Sequence, residues 1–224
     1  MTPVENRLLS LYRHIGSQAA EWANRVPLIA EAGFHILNGP PVVGGPMVVS
    51  LNPGLSKAVL DHPGVDFWPK RWPECPWYPK GISPFAKKLI QIFDGAGIDL
   101  ESVNAGFVLV CRSKSLKEWK AKVPLDVRKS AEQISLEVLG TLVSTLKPNF
   151  IYAAGFITFT RMGCSVERVE HGRRKGGAKF PLLRYGCYSG VPVIASLHPS
   201  GARPGLSGEN LDQIGLALSR MCKS

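Results

Sequence analysis

Between Asn6 and Ala23 the residues Leu8, Leu9, Leu11, Tyr12, Ile15, Ala19, Trp22 and Ala23 recur largely on one face of a helical period. This pattern predicts an amphipathic N-terminal helix over about residues 4–24. A short apolar run, Met47 to Leu51, predicts a buried strand. Asp61 to Ile82 is irregular and dense in Pro and Trp. Ser83 is placed to cap a helix with Pro84 at its first position, and that helix stops near Gly95 and Gly97. Phe107 to Val110 predicts a strand, and Asp126 to Leu146 a long helix ended by Lys147-Pro148. Phe150 to Ala154 predicts another strand, closed by Gly155 and followed by a short helix. Leu182 to Tyr185 and Val191 to Ala195 predict strands about a turn at Ser189-Gly190, before a last helix from Gly208 to Met221. Buried strands alternating with helices predict an α/β fold with a mainly parallel sheet covered on both faces.

Composition narrows the class. The chain has 224 residues, 45% of them hydrophobic, which suits one large domain spanning residues 1–224. No run reaches the roughly 18 apolar residues of a membrane span, and the N-terminus lacks a secretory pattern, so a cytoplasmic protein without membrane contact is expected. Lys and Arg number 27 against 17 acids, a net charge of +10, which favours a polyanionic partner, above all nucleic acid. The five cysteines show no metal-like spacing, and an odd count argues against a disulfide framework. No metal is expected. His171 to Lys179 is basic and Gly-rich and reads as a mobile loop, either a solvated turn or a phosphate contact.

No G-x-G-x-x-G, Walker-type, G-x-S-x-G or H-E-x-x-H pattern is present, so no nucleotide or other cofactor is expected. Two strand-end loops remain. Val48-Val49 leads into Ser50-Leu51-Asn52-Pro53-Gly54-Leu55-Ser56, and Val193-Ile194-Ala195 leads into Ser196-Leu197-His198-Pro199-Ser200-Gly201. Each delivers a polar residue and then Pro at a strand end, where parallel sheets build ligand crevices.

These residues resemble a family. Val49-Ser50-Leu51-Asn52-Pro53-Gly54-Leu55-Ser56 is similar to the first motif of the uracil-DNA glycosylase superfamily, nearest its mismatch-specific uracil/thymine branch. His198-Pro199-Ser200-Gly201 resembles the second motif, mixing the His-Pro-Ser form of the classical branches with the Pro-Ser-Gly form of the mismatch branch. Val108-Leu109-Val110-Cys111-Arg112-Ser113 resembles the strand between them, with Cys111 where the mismatch branch has an acid. Order and spacing hold from about Met47 to Leu218.

The resemblance implies a three-layer α/β/α sandwich with a central, mainly parallel four-stranded sheet. It implies a monomeric, monofunctional DNA glycosylase that hydrolyses the N-glycosidic bond of a deaminated base without a cofactor. Asn52 would hold a water by hydrogen bonds, although an Asn before Pro is also an ordinary turn residue. His198 would donate to the leaving base, and a neutral imidazole suffices. Leu51, Gly54, Leu55 and Cys111 would line the base. Tyr78 would stack on it or simply pack the long loop. Ser56, Lys57, Arg112 and Ser200 would contact DNA. Gly201-Ala202-Arg203 falls where the family has its wedge, with Arg203 either filling the gap left by a flipped base or lying on the surface.

The chain departs from the pattern at the middle strand. The base-reading Asn of several branches is absent, Val110 and Cys111 standing there, and Asn104 lies before the expected strand. Uracil remains the first expectation, with hypoxanthine or xanthine as alternatives. The rival readings are a non-catalytic nucleic-acid-binding protein on the same fold and a hydrolase of free nucleosides, which the charge disfavours.

Overall fold

The computed structural model describes residues 2–38, 40–54, 84–174, 176–199 and 206–223. Leu55, Ser56, Lys57, Tyr78, Ser200, Gly201, Ala202 and Arg203 lie outside them.

Helix α1 (Pro3–Ala23) starts on a capping box in which Thr2 and Glu5 satisfy each other's backbone N–H groups. Its buried stripe is Leu8, Tyr12, Ile15, Gly16, Ala19 and Trp22. After α2 (Pro27–Ala32) come β1 (Leu37–Asn38), β2 (Met47–Ser50), α3 (Pro84–Ala96) and β3 (Asn104–Phe107). Then follow α4 (Leu116–Lys122), α5 (Leu125–Leu146), β4 (Ile151–Ala154) and α6 (Phe156–Arg161). β5 (Arg168–Arg173), β6 (Lys179–Tyr188), β7 (Val191–Ser196) and α7 (Gly208–Lys223) complete the described order. No helix of the described residues is long and apolar enough to cross a membrane.

The α/β class expected from the sequence is present, and among the described residues the sheet is mixed, with seven strands in the order β1-β3-β2-β4-β7-β6-β5. β2 runs parallel to β3 and β4, and β4 parallel to β7. β1, β6 and β5 add antiparallel pairs at the two sides. Short apolar runs betray buried strands, whereas β1 has two residues and β5 is rich in charge, so neither carries that signal.

Successive strand residues face opposite layers. Met47, Val49, Ile151, Ala153, Val193 and Ala195 pack with α1, α2, α4 and α5. Val48, Tyr152, Ala154 and Ile194 pack with α3 and α7.

The middle strand occupies Asn104–Phe107, three residues earlier than the apolar run suggests. Asn104 is therefore the first strand residue and not a residue before it. Its buried amide accepts from Val42 N at 2.9 Å and donates to Val42 O at 2.8 Å, fixing the segment ahead of β2. Val108 and Leu109 leave the regular ladder, yet their N–H groups still reach Ser50 O and Leu51 O at 3.0 and 2.9 Å. The basic segment read as a loop is also different. It forms the end of β5, a tight turn and the first residue of β6, because Arg173 pairs with Lys179. The β6–β7 turn at Ser189-Gly190 falls where expected, and both residues have positive φ, as a two-residue hairpin requires.

Candidate active site

The chain passes from β2 through α3 to β3 on one side, then crosses back to β4 on the other. α3 covers one face and α5 the opposite one. β2 and β4 are thus neighbours whose onward connections diverge, the arrangement that opens a crevice at strand carboxyl ends. Asn52 leaves β2 there, Gly155 leaves β4, and His198 leaves β7 next door.

Both functional candidates precede a proline, Pro53 and Pro199, and both prolines are buried. A following proline disfavours helical backbone, and the chain bends at Leu51–Asn52 and at Leu197 as it leaves the sheet. In register, Val49 pairs with Ala153 and Ala153 with Ala195. Asn52 and His198 each follow that row by three residues, just past the carboxyl ends of β2 and β7. With β4 between their strands, the two chains are separated by two ladder spacings, about 10 Å.

The Asn52 amide is held in one orientation. Its Nδ2 donates to Ser113 O at 2.8 Å, to Ser113 Oγ at 3.1 Å and to Pro53 O at 3.2 Å. The two carbonyl oxygens only accept, which assigns the NH2 to that side and leaves Oδ1 on the other. Among the described residues no donor reaches Oδ1, so it is available as a water acceptor. Ser113 is buried, and its hydroxyl donates to Ser115 O at 3.3 Å. Ser115 in turn caps α4 through the Glu118 N–H. The amide is therefore clamped to the start of a helix. Ser113 belongs to the segment singled out in the sequence, but its role comes from a contact that sequence spacing does not show.

Arg112 supports the same loop. Its Nη1 donates to Gly54 O at 3.3 Å, and burial pulls its pKa below the ordinary arginine value. Leu51 is half-buried and paired through its carbonyl to Leu109, while Gly54 is exposed. Cys111 is placed in the apolar core, fully buried, with its backbone bridged to Phe34 and its thiol pKa pushed up to about 12 by that burial. The thiol is enclosed, so any contribution of Cys111 to a base site is limited to position.

His198 stacks on Phe85 of α3, ring centroids 5.3 Å apart and planes 22° from parallel. Loss of water contact, and then the charge of Lys88, hold its pKa below the ordinary 6.5. A pKa below 6.5 keeps the imidazole mainly neutral at physiological pH, and the residue still reaches solvent. Beneath it Gly155 has φ +115, and a Cβ there would lie 3.4 Å from His198 Cβ. The root of the loop is fixed by Ser196, whose hydroxyl meets Tyr152 Oη at 2.6 Å and Leu197 O at 2.8 Å. Gly155 shows in the sequence only as a strand terminator, and the part of Phe85 comes from its contact with His198.

No group of three or more His, Cys, Asp or Glu able to hold a metal occurs among the described residues. The described site thus offers an oriented amide acceptor at one position and a neutral imidazole at the other. No protein-family model matches the chain, and no curated protein matches it at a significant level.

Proposed function

We propose that the protein is a monofunctional glycosylase that hydrolyses the N-glycosidic bond of a deaminated base in DNA, uracil first. The observation that carries this reading is the pair Asn52 and His198, which follow the carboxyl ends of β2 and β7 on either side of β4. Glycosidic hydrolysis needs water on one face of the sugar and a stabilised base anion leaving on the other. Asn52 Oδ1 accepts from the water and aims its lone pair, without acting as a strong base. His198 donates a neutral N–H to the base oxygen on which charge develops, a type of contact worth roughly 10²–10³-fold when removed. Gly155 keeps the space beside His198 free of a side chain. The three-layer α/β/α sandwich around a parallel four-stranded core, implied by the superfamily resemblance, is supported by the parallel pairings of β3, β2, β4 and β7. The net charge of +10 supports a DNA substrate over a free nucleoside.

The test is incubation of the protein with oligonucleotides containing uracil, hypoxanthine, xanthine or mismatched thymine, followed by alkaline cleavage. Strand scission at the damaged base, lost in Asn52→Ala and His198→Ala while DNA affinity persists, is the expected result. No scission on any of the four substrates overturns the enzymatic reading in favour of a non-catalytic DNA-binding protein.

A further inference from the structure

The β5–β6 hairpin is not used by the pair Asn52 and His198, yet it rises over their end of the sheet. Ser196, the last residue of β7, pairs with Leu183, whereas β6 begins four residues earlier at Lys179. Four extended residues carry the hairpin roughly 13 Å past the end of the parallel ladder. The Leu183–Ser196 pair marks the level at which β7 ends, two residues before His198, and the hairpin continues beyond it through the Pro181–His171 pair. The tip beyond that level carries Arg173, Arg174 and Lys179, all exposed.

Three features distinguish this tip from an ordinary solvated turn. Arg173 and Lys179 are direct cross-strand partners, and like charges facing each other across a ladder are destabilising unless an anion lies between them. No acidic residue pairs with Arg173, Arg174 or Lys179 among the described residues. The basic side chains are also interleaved with rings. At the tip Arg174 lies over Phe180 at 5.8 Å, while Arg168 over Tyr185 at 3.8 Å and Arg184 over Phe156 at 4.3 Å belong to the far end of the hairpin. Finally, the tip is anchored. Asn210 of α7, itself buried, donates to Arg173 O at 3.1 Å, and it packs so closely on Gly172 that a Cβ there would meet its Oδ1. The turn closes on itself through Arg174 N to Ala178 O at 3.0 Å and Gly177 N to Arg174 O at 2.8 Å. Charge on an edge strand can serve merely to block edge-to-edge pairing. That explanation covers Arg168 and Arg173 of β5 but neither Lys179 of β6 nor the overhang.

We propose that the β5–β6 hairpin is a backbone clamp for duplex DNA, its Arg173, Arg174 and Lys179 contacting phosphates beside the nucleotide held at the strand ends. The placement of that nucleotide rests on the glycosylase reading, whereas the phosphate contacts are tested without it. The experiment is fluorescence anisotropy of the full chain on an undamaged duplex oligonucleotide between about 50 and 200 mM salt. The variant R173A/R174A/K179A is compared with the charge-matched R7A/R13A/K129A on the α1 and α5 helices. The hairpin variant is expected to bind at least about tenfold more weakly, with the slope of log affinity against log salt reduced by about 2–3. R173K/R174K, which keeps the charge, is expected to retain affinity, separating phosphate contact from disruption of the hairpin.

Equal affinity and slope in the two triple variants overturns the clamp. Tighter binding of polyglutamate than of duplex also overturns it, since the partner is then an acidic protein. A hairpin effect on binding without excision of any damaged base upholds the clamp and overturns the glycosylase reading alone. Excision that is insensitive to the hairpin, with unchanged duplex affinity, overturns the clamp alone.

Discussion

Asn52 Nδ2 donates to the backbone oxygen of Ser113 at 2.8 Å, and this one bond decides which end of the amide faces the crevice. A carbonyl cannot donate, so the amide cannot flip without losing the contact. The orientation of the candidate water-binding oxygen is thus fixed by a residue that need not touch substrate.

Substitutions at this pair separate orientation from chemistry. Ser113→Ala removes the hydroxyl acceptor at 3.1 Å but keeps the carbonyl. Losing one such bond costs about 0.5–1.5 kcal/mol, so excision is expected to fall by no more than about tenfold. Asn52→Ala removes the water acceptor altogether and is expected to cost at least about 100-fold in kcat. Asn52→Asp sets a carboxylate oxygen against Ser113 O and Pro53 O, acceptor against acceptor, and is expected to destabilise the fold by about 1–3 kcal/mol. Urea denaturation of the three variants, beside single-turnover excision rates, checks the ranking.

His198 makes a pH prediction with a definite sign. Partial loss of water contact beside Phe85, and then the Lys88 charge, lower its pKa from 6.5. The unfolded chain therefore binds the proton more readily than the folded one. The contribution to stability is intact above pH 6.5 and is lost as pH falls from there towards the lowered folded-state value. Because the neutral ring is the proposed donor, excision is expected to stay level from about pH 7 upward. A rate that declines as pH rises through the histidine range would show that imidazolium is the working form. The pH profile of kcat on the wild type and on His198→Gln decides between them.

The large helices and the buried strands were legible because burial imposes a period on sequence. α1 shows it in Leu8, Tyr12, Ile15, Ala19 and Trp22, and β4 in its unbroken run Ile151–Ala154. β3 misled, since its residues Asn104, Ala105 and Gly106 have little intrinsic strand preference. Tertiary contacts place them there. Gly106 packs so tightly that a Cβ would strike Met47, and the Asn104 amide replaces a backbone pairing with Val42. β5 was illegible because it is an edge strand with mostly exposed side chains, and only its pairing to β6 makes it a strand. Within the candidate site, Asn52 and His198 are candidates on motif chemistry alone. Ser113, Phe85 and Gly155 could not, because their parts depend on which loops meet.

The placement of Cys111 predicts its reactivity. The thiolate is the reactive form, and full burial pushes this thiol up to about 12. Cys187 is exposed. Brief treatment of the native protein with iodoacetamide is expected to modify Cys187 and spare Cys111, with Cys111 reacting only after denaturation. Peptide mapping by mass spectrometry reads both sites in one sample. Native-state alkylation of Cys111 at a rate comparable to Cys187 would mean that the segment Val108–Ser113 opens readily, and the Asn52 clamp with it.

Gly155 joins the backbone at the end of β4 to the position of His198. Its φ of +115 lies where an L side chain is strained, and the space a Cβ needs is bounded by His198 Cβ at 3.4 Å and Cδ2 at 3.5 Å. Gly155→Ala therefore meets backbone strain of order 1–3 kcal/mol and sets a methyl in van der Waals contact with the imidazole. The strain acts on folding whatever the protein does, so the urea midpoint is expected to fall in any case. The strained backbone also bears on the placement of His198. If the imidazole stabilises the leaving base, Gly155→Ala is expected to reduce kcat in the wild-type background and to add little in a His198→Ala background. This double-mutant cycle distinguishes a positioning glycine from one that merely turns the chain, because a merely structural Gly155 would lower excision by the same factor in both backgrounds.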